Sequence, residues 1–480
     1  MRFNLTSISA ALLSSLVAQA AMASGYHFGS QSASAQGTAN ANAAEAEDAS
    51  VLFYNPAGLS RLKGVNASGV LTVVAPSGSY EDRGSTTVLG RPLSGDSGKF
   101  VNTTAVPHGY LSYQLSDRLV AGFGVFVPFG SKSEYNSDWA GRYNSIGTEL
   151  KTVALNPALS FKVNEQLSLG GGLSAQYIEG KLSKAADFGS GVLGDPAMKP
   201  LLGALPPAMV AGLIQKMSGT PDYSGRVDVE GKNWGYGFNL GLLYSYDKDT
   251  RFGIAYRSKI KHQLSGDARW QVQMQAANIA TVINGIKPGL GSVVQANLVK
   301  KYSDSDASLD VVTPESLSFS AFKQMDKLAL MADLTLTRHS RFQELRVDFA
   351  NSLPDSVTPE NWSNTLRYSV GMNYQLNDQF KLRAGLAYDG SPVSTANRTP
   401  SLPDNDRLWL SGGLNWKLSA KNSVDLALSY VKVGSSSISN ADYGGQASCR
   451  PDLNTSSCAT IRGHYDISSV LFGVQYNHQF

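Results

Sequence analysis

Charged residues are scarce in this 480-residue chain, at 16% of the total, and they nearly cancel to a formal net charge of +3. A soluble protein usually carries about a quarter of its residues as Asp, Glu, Lys and Arg. The near-neutral balance gives no support for a nucleic-acid or an acidic partner. Glycine is plentiful instead, with 47 residues, and tyrosine contributes 21. This composition fits repeated β-strands whose outer side meets something other than water.

Cysteine is scarcer still: the chain has two, Cys449 and Cys458, and both lie in the Gly/Ser/Asn-rich segment GGQASCRPDLNTSSCAT. In an exported protein, such a pair is most simply a disulfide that closes an exposed loop. A metal site is less favoured, because a tetrahedral site needs more nearby ligands than His464 alone. We therefore expect no metal and no cofactor. The six histidines form no recognisable motif with Ser and Asp, so we expect no enzymatic activity either.

Long apolar runs are also absent. A positive start, a short apolar core and an Ala-x-Ala cleavage site predict a signal peptide over residues 1–23. An N-terminal anchor helix is the alternative, but the apolar core is too short to span a bilayer. No later segment approaches the roughly eighteen unbroken apolar residues of a membrane helix. An exported protein of this kind is secreted, periplasmic or a β-barrel.

Strand periodicity decides among these classes. Apolar side chains occupy every second position over 234–246, 366–376 and 380–388, and the alternate positions hold Gly, Ser, Asn and charged residues. Trp and Tyr gather at the ends of the apolar face, as in the aromatic girdles of membrane barrels. The last strand finishes in Phe480, which resembles the C-terminal signature of bacterial outer-membrane barrels. We therefore predict an all-β, transmembrane antiparallel β-barrel in the bacterial outer membrane.

Turn placement predicts the number of strands. Tight polar turns recur at 116–118, 164–166, 247–249, 325–327, 377–379 and 419–422, and long irregular loops alternate with them. Short turns on one side and long loops on the other are typical of outer-membrane barrels, whose turns face the periplasm. Six internal turns, together with a first and a last strand, give about fourteen strands. The lumen of a barrel this wide is either a channel or plugged.

Residues 24–63 precede the strand pattern and predict a partly helical plug, or hatch, inside the barrel, which would then span residues 64–480. The segment is rich in small residues and includes DASVLFYNPAGLS, in which Asn55, Pro56 and Ala57 form a rigid turn. A disordered linker is the alternative, but a linker needs neither the apolar cluster at 51–54 nor the turn. We expect the turn to fix the plug against the wall.

These features resemble the FadL family of outer-membrane long-chain fatty-acid transporters. An Asn-Pro-Ala element about thirty residues into the mature chain precedes a barrel of about fourteen strands, and the segments at 231–261 and 382–416 agree with the family. The resemblance extends over essentially the whole mature chain. It implies a monomer that binds hydrophobic small molecules.

Two loops, at 191–219 and 270–298, are more apolar than solvated loops should be and predict extracellular helices. Exposed apolar surface usually marks a binding site. The alternative is that these helices merely pack on each other. In FadL-type proteins the corresponding loops form a groove that captures substrate, so both interpretations can hold together.

The resemblance also suggests ligand-binding residues. A basic residue follows the Phe-Gln-x-Leu run, which makes Arg346 the first candidate for a carboxylate headgroup, and Lys181 is the second. Glu179 stands where family members can carry a basic residue, which weakens a strict carboxylate preference. For both candidates, an ordinary lumen or rim charge is the alternative.

The third strand contains Pro128, Phe129 and Gly130, where pairing should fail locally. The resemblance implies a kink there that opens the wall toward the membrane, with Phe129 near the ligand. The other possibility is that the strand ends at this point.

The leading hypothesis is passive uptake of hydrophobic molecules, above all long-chain fatty acids, by loop capture, lumen binding, plug movement and lateral release. Uptake of aromatic hydrocarbons by the same fold is the first alternative. A non-specific porin and an adhesin or phage receptor remain further alternatives, and a barrel enzyme such as a lipase is the weakest one.

Overall fold

Twenty strand segments form one closed antiparallel barrel in the computed structural model, which describes residues 25–449 and 457–480. Six strands are interrupted, so the segments make fourteen strands, and β1 closes the sheet by pairing with both β2 and β14. The strands are β1 (Val65–Asp82), β2 (Thr104–Gln114), β3 (Leu119–Phe126 and Gly130–Glu134), β4 (Gly147–Lys162), β5 (Leu167–Ala186), β6 (Gly225–Ser245), β7 (Thr250–Arg257 and Ile260–Gln271), β8 (Ser305–Thr313 and Ser316–Met325), β9 (Leu328–Thr337 and Glu344–Phe349), β10 (Ser356–Pro359 and Thr365–Gln375), β11 (Phe380–Asp389), β12 (Arg407–Lys417), β13 (Asn422–Val433 and Ser436–Ala441) and β14 (Thr460–Gln479). The predicted fourteen-stranded barrel is confirmed. The predicted signal peptide lies outside the described residues.

All six predicted tight turns connect neighbouring strands at one rim, where β1 also begins and β14 ends. Long connections lie at the opposite rim, which we call the upper rim. The chain also forms helices α1 (Ala33–Gln36), α2 (Val51–Tyr54), α3 (Phe188–Gly194), α4 (Lys199–Gly203), α5 (Pro207–Met217), α6 (Gln273–Ile286) and α7 (Leu290–Lys301), and 3₁₀ turns at Pro56–Arg61, Pro196–Met198, Pro221–Tyr223 and His339–Arg341. Helices α3 to α7 all belong to the upper connections.

The outer face of the wall is apolar. On β6 the outward positions carry Trp234, Tyr236, Phe238 and Leu240, and each of these side chains is exposed in the isolated chain. On β5 the exposed Leu173 has the same orientation. Alternation with small or polar inward residues is the pattern expected where one face meets lipid. Among the described residues, no helix is long and apolar enough to cross a membrane.

Residues 25–62, which we call the hatch, fill the lumen. Their small side chains pack closely, and Leu52 and Leu59 are completely buried against the wall. Full burial of one such side chain contributes about 1.5–3 kcal/mol. The shared core combines hatch residues Ala41, Ala44, Ala46, Ala49, Val51, Leu52, Ala57, Leu59 and Leu62 with wall residues Val70, Tyr110, Val120, Phe126, Ala154, Ala158, Leu243, Phe322, Ala329 and Met331.

The turn at Asn55, Pro56 and Ala57 lies directly against bare strand backbone. Asn55 caps the 3₁₀ turn through its Oδ1, which accepts from Ala57 N at 3.0 Å, and its Nδ2 donates to Leu242 O at 3.0 Å. A Cβ at Gly170 would lie 2.3 Å from Ala57 N, and one at Gly241 would lie 2.1 Å from Asn55 Oδ1. The inward glycines of β5 and β6 therefore make the contact between hatch and wall possible.

Replacement of Gly170 tests this contact. We expect Gly170→Ala to push the hatch away from the wall, because the added methyl group meets backbone that has no room to yield. The barrel should still form, and proteoliposomes should swell faster in small sugars as the lumen opens. Gly171→Ala is the matched control, since its Cβ meets the nearest atom at an ordinary 3.5 Å. Equal swelling rates for the two variants would contradict the close contact.

Candidate functional site

The helices of the upper connections form an apolar cap. Helices α3, α5 and α6 bury Phe188, Met217, Ile279 and Ile283 together, and Trp270 lies beneath them at the end of β7. Helices α6 and α7 pack side by side. The cap also presents apolar side chains outward: Met209, Met274 and Val293 are about half exposed or more. The predicted helices near 191–219 and 270–298 are therefore present, and they both pack on each other and expose apolar surface.

Apolar side chains continue from the cap down the inside of the wall. Val229 and Phe349 pack against the cap and also against a luminal cluster around Leu264 and Leu309. Leu345 belongs to that luminal cluster and to the next cluster below it. A continuous strip of apolar residues thus runs along one side of the inner wall from the cap to the middle of the barrel.

The lining ends at an aromatic box formed by Phe129, His339, Phe342 and Trp362, with Tyr26 of the hatch inside it. The Tyr26 ring centroid lies 5.1 Å from that of Trp362, 5.8 Å from Phe129, 5.9 Å from Phe342 and 6.4 Å from His339. All five side chains are buried. In this arrangement, a hatch residue blocks the lower end of the apolar lining.

Strand β3 is interrupted beside the aromatic box. Phe126 lies opposite Ala154 on β4, but Gly130 lies opposite Lys151, so β3 contains one residue more than β4 over this stretch. The extra residue is a bulge, as expected where proline cannot donate to the ladder.

The hatch replaces the missing neighbour at this interruption. The pairing of β2 with β3 ends at Gly109 opposite Val125, although β2 continues beside β1. Above that point the backbone of β3 bonds to the hatch: Phe28 N donates to Pro128 O at 2.8 Å, and Gly130 N donates to Tyr26 O at 2.7 Å. The wall therefore has a gap between β2 and β3 that the first residues of the hatch cover.

Two small cavities lie along the lumen, above a polar opening of about 260 Å³ at the lower rim that Glu47, Arg383 and Asp425 line. The upper one, of about 80 Å³, is lined on one side by apolar residues that include Leu182, Trp270 and Val347, and on the other by polar residues that include Lys184 and Asp442. The lower one, of about 90 Å³, lies between hatch and wall. Each has room for a few water molecules but is far below the roughly 300 Å³ and more of a ligand pocket. A larger ligand therefore requires side chains or hatch residues to move.

The lower cavity is polar and contains Arg257 and Arg367. Arg257 donates to Phe53 O of the hatch at 2.9 Å and stacks on the Phe53 ring. Burial, and then the charges of Arg367, Arg257 and Arg407, lower the pKa of His27 to about 3. This histidine is therefore neutral at physiological pH, and the arginines supply the positive charge of the cavity.

A buried ion-pair cluster attaches the hatch to the opposite wall. Arg383 on β11 lies 3.4 Å from Glu45, 3.2 Å from Glu47 and 3.0 Å from Asp425, and its side chain is 1% exposed. Glu47 also pairs with Lys381. Removing one partner of such a cluster costs about 3–5 kcal/mol, because the remaining charge stays buried. The lower half of the lumen is thus closed by a hatch that is attached to the wall on both sides.

The comparison with known proteins identifies the family. The family model described as outer membrane protein transport protein (OMPP1/FadL/TodX) matches residues 14–480. The chain belongs to this family. It is therefore an outer-membrane protein of a family that transports hydrophobic compounds.

Individual relatives agree with this assignment. An outer membrane protein of Neisseria meningitidis serogroup B is 37% identical over 95% of both chains. The long-chain fatty acid transport protein of Escherichia coli K12 is 27% identical over 89% of this chain and 92% of its own. A solved FadL homologue of Pseudomonas aeruginosa has the same fold, with a TM-score of 0.80 at 24% identity over 95% of this chain and all of the other.

In the structure of this FadL family member, the two basic candidates for the carboxylate headgroup, Lys181 and Arg346, face away from the lumen. Lys181 has the same orientation on β5 as the outward Leu173 and lies 3.3 Å from Glu179 and 3.5 Å from Glu230. Its side chain is 47% exposed. Lys181 therefore belongs to a row of paired charges on the outer surface of the barrel.

Arg346 faces outward as well. Its neighbour Val347 is buried opposite the luminal Leu309 of β8, so the alternation of the strand turns Arg346 to the other side. There it lies 2.8 Å from both Glu344 and Asp355. The side chain that lines the lumen at this height is Leu345, next to Arg346 in the sequence.

Other predicted positions lie where the path through this FadL-type barrel narrows. Phe129 belongs to the aromatic box, and Pro128 and Gly130 flank it at the interruption of β3.

Cys449 and Cys458 form a disulfide in the connection between β13 and β14. No group of three or more potential metal ligands comes together within residues 25–449 and 457–480.

Sequence reasoning missed most of the aromatic box. Tyr26 begins an aromatic run, Tyr-His-Phe, directly after the predicted cleavage site, and that run was a usable signal. Phe342 belongs to the Phe-Gln-x-Leu run, whose sequence signal pointed to the basic residue after it rather than to Phe342 itself. His339 and Trp362 carried no signal of their own, because their neighbours in the box are far away in sequence.

The adjacent residues Leu345 and Arg346 allow a matched test of the orientation of β9. We expect Arg346→Ala to change the affinity for oleate less than about twofold, because the side chain faces away from the lumen. Leu345→Asn should weaken binding about tenfold, since it places an amide on the apolar lining. Equilibrium binding to the purified protein in lipid nanodiscs measures both. A large loss with Arg346→Ala, and none with Leu345→Asn, would show that the lumen contacts Arg346.

Proposed function

We propose that the protein mediates passive uptake of hydrophobic molecules across the outer membrane, with loop capture, lumen binding and lateral release. The observation that carries this proposal is the continuous apolar lining from the exposed cap, through Val229 and Leu345, to the aromatic box at the interruption of β3. An apolar molecule that follows this lining exchanges one apolar surface for another at each step. Such a path needs no energy source beyond the concentration gradient.

The gap between β2 and β3 is the proposed exit. The barrel wall there consists of hatch residues rather than a strand, so a displacement of residues 26–28 would open it without breaking the strand ladder. A lipid-like molecule gains nothing from release into water, because each Å² of apolar surface costs about 25 cal/mol there. Exit toward the bilayer avoids that cost.

Long-chain fatty acids remain a candidate substrate, because the Escherichia coli relative is named for their transport. The lining accommodates an acyl chain as well as an aromatic hydrocarbon. Neither Lys181 nor Arg346 supplies a carboxylate site on it, so a preference for the acid must come from elsewhere. Arg257 and Arg367 are the cations that the lower cavity offers.

A non-specific porin is disfavoured by the filled lumen. The hatch is buried along most of its length, and the two cavities above the polar opening at the lower rim are small. An open aqueous channel would need the whole hatch to leave its ion pairs and its glycine contacts.

A reversible cross-link tests the lateral exit. His27 and Phe129 face each other in an isolated antiparallel bridge, so His27→Cys combined with Phe129→Cys should form a disulfide between hatch and β3. We expect the oxidised double variant to lose most uptake of oleate into proteoliposomes, and mild reduction to restore it. The comparison of oxidised with reduced protein controls for the substitutions themselves.

The wild-type protein, treated with the same reductant, controls for the native disulfide. Uptake at equal rates by the oxidised and the reduced double variant would contradict an exit through this gap.

A further inference from the structure

We propose that the aromatic box is a binding subsite for an aromatic ring that carries a hydrogen-bonding group, and that Tyr26 occupies this subsite until a ligand takes its place. The proposal rests on the proposed uptake function and names the substrate class that the narrowest part of the path selects. The chemical class is that of the small phenols.

The contacts of Tyr26 are those of a bound ring. The rings of Phe129 and Phe342 meet it at 65° and 86°, which is edge-to-face geometry, and Trp362 lies tilted at 34°. Edge-to-face contacts place the positive edge of one ring against the negative face of another, and they add to the gain from burial alone. A saturated ring of the same size fills the space but lacks this quadrupole. The box therefore favours aromatic over saturated rings.

His339 gives the box an unused polar function. This side chain is 1% exposed, and neither of its ring nitrogens has a hydrogen-bond partner among the described residues. The hydroxyl of Tyr26 bonds instead to Val312 O, at 2.8 Å. Buried polar atoms without partners are rare and call for a ligand or water. A ring whose hydroxyl group reaches His339 would satisfy the imidazole as Tyr26 does not.

Gly25 and Tyr26, at the start of the hatch, bring the chain into contact with the aromatic box. A Cβ at Gly25 would lie 2.8 Å from the Trp362 ring, so only glycine lets the chain pass this close, and Gly25 N donates to Asp404 at 2.9 Å. Tyr26 O accepts from Gly130 N at the interruption of β3. Loss of Tyr26 from the box would therefore also disturb the contact that covers the gap. Ligand binding and opening of the gap involve the same residue.

The test uses p-cresol and its saturated counterpart 4-methylcyclohexanol, with the full chain in lipid nanodiscs, because detergent would compete for an apolar site. We expect Tyr26→Ala to bind p-cresol at least about tenfold more tightly than the wild type does. The same variant should bind p-cresol about three- to tenfold more tightly than 4-methylcyclohexanol. Phe100→Ala is the matched control, because its buried ring stacks on Tyr135 in a separate cluster of the upper connections. It should bind both compounds as the wild type does.

His339→Phe, made together with Tyr26→Ala, separates the two parts of the proposal. It keeps a ring in the box and removes the nitrogens, so it should lower the preference for p-cresol over toluene while leaving toluene binding intact. If Tyr26→Ala fails to fold, as judged by heat-modifiability on a gel, Phe342→Leu in the wild type takes its place. That variant should lower p-cresol binding and leave 4-methylcyclohexanol unchanged.

Equal affinity of Tyr26→Ala for the aromatic and the saturated ring, or p-cresol affinity unchanged from the wild type, would overturn the subsite. Toluene flux into proteoliposomes, measured in parallel, distinguishes this failure from failure of the uptake function. Ring-selective binding without flux would support the subsite and overturn uptake. Flux without ring-selective binding would support uptake and overturn the subsite.

Discussion

A barrel of fourteen strands encloses more space than its inward side chains can fill, so its interior must be either water or another part of the chain. Here the hatch fills it, and the close contact of the Asn55–Ala57 turn with the glycine backbone of β5 and β6 makes that possible. The contact holds one side of the hatch at hydrogen-bond distance from the wall. The ion pairs of Arg383 with Glu45 and Glu47 hold the other side. Everything else about the lumen depends on this two-sided attachment.

The lower hatch is held to the wall more strongly than residues 25–28 are, and this difference determines which part of the hatch can move. The lower hatch is joined to the wall by buried charges and by backbone contacts that a methyl group would disrupt. Residues 25–28 reach the wall through a short bridge to β3, through the ring and hydroxyl of Tyr26, and through one hydrogen bond from Gly25 N to Asp404. Displacing residues 25–28 therefore breaks far fewer interactions than displacing the whole hatch. A small local movement is the least costly way to open this lumen.

The strands and their turns could be predicted because both follow local rules: alternation of side chains along a strand, and polar residues at tight turns. The same alternation also determines the orientation of Lys181, which faces outward as Leu173 does. The aromatic box could not be predicted in this way. Phe129, Phe342 and Trp362 come from three separate strands or connections, and only the closed barrel brings them to Tyr26.

The distribution of polarity along the lumen favours a sideways route. Above the aromatic box an apolar strip runs along the wall beside the ion pair of Lys184 with Asp442, whereas below the box a ligand would meet the arginines Arg257 and Arg367 and then the Arg383 cluster. Moving about 200 Å² of apolar surface from the lining into such a hydrated, charged region costs roughly 5 kcal/mol, at about 25 cal/mol per Å². Moving the same surface through the gap beside β3 into the bilayer costs almost nothing in transfer free energy. With the short turns facing the periplasm, the charged lower lumen acts as the barrier that directs an apolar molecule toward the membrane.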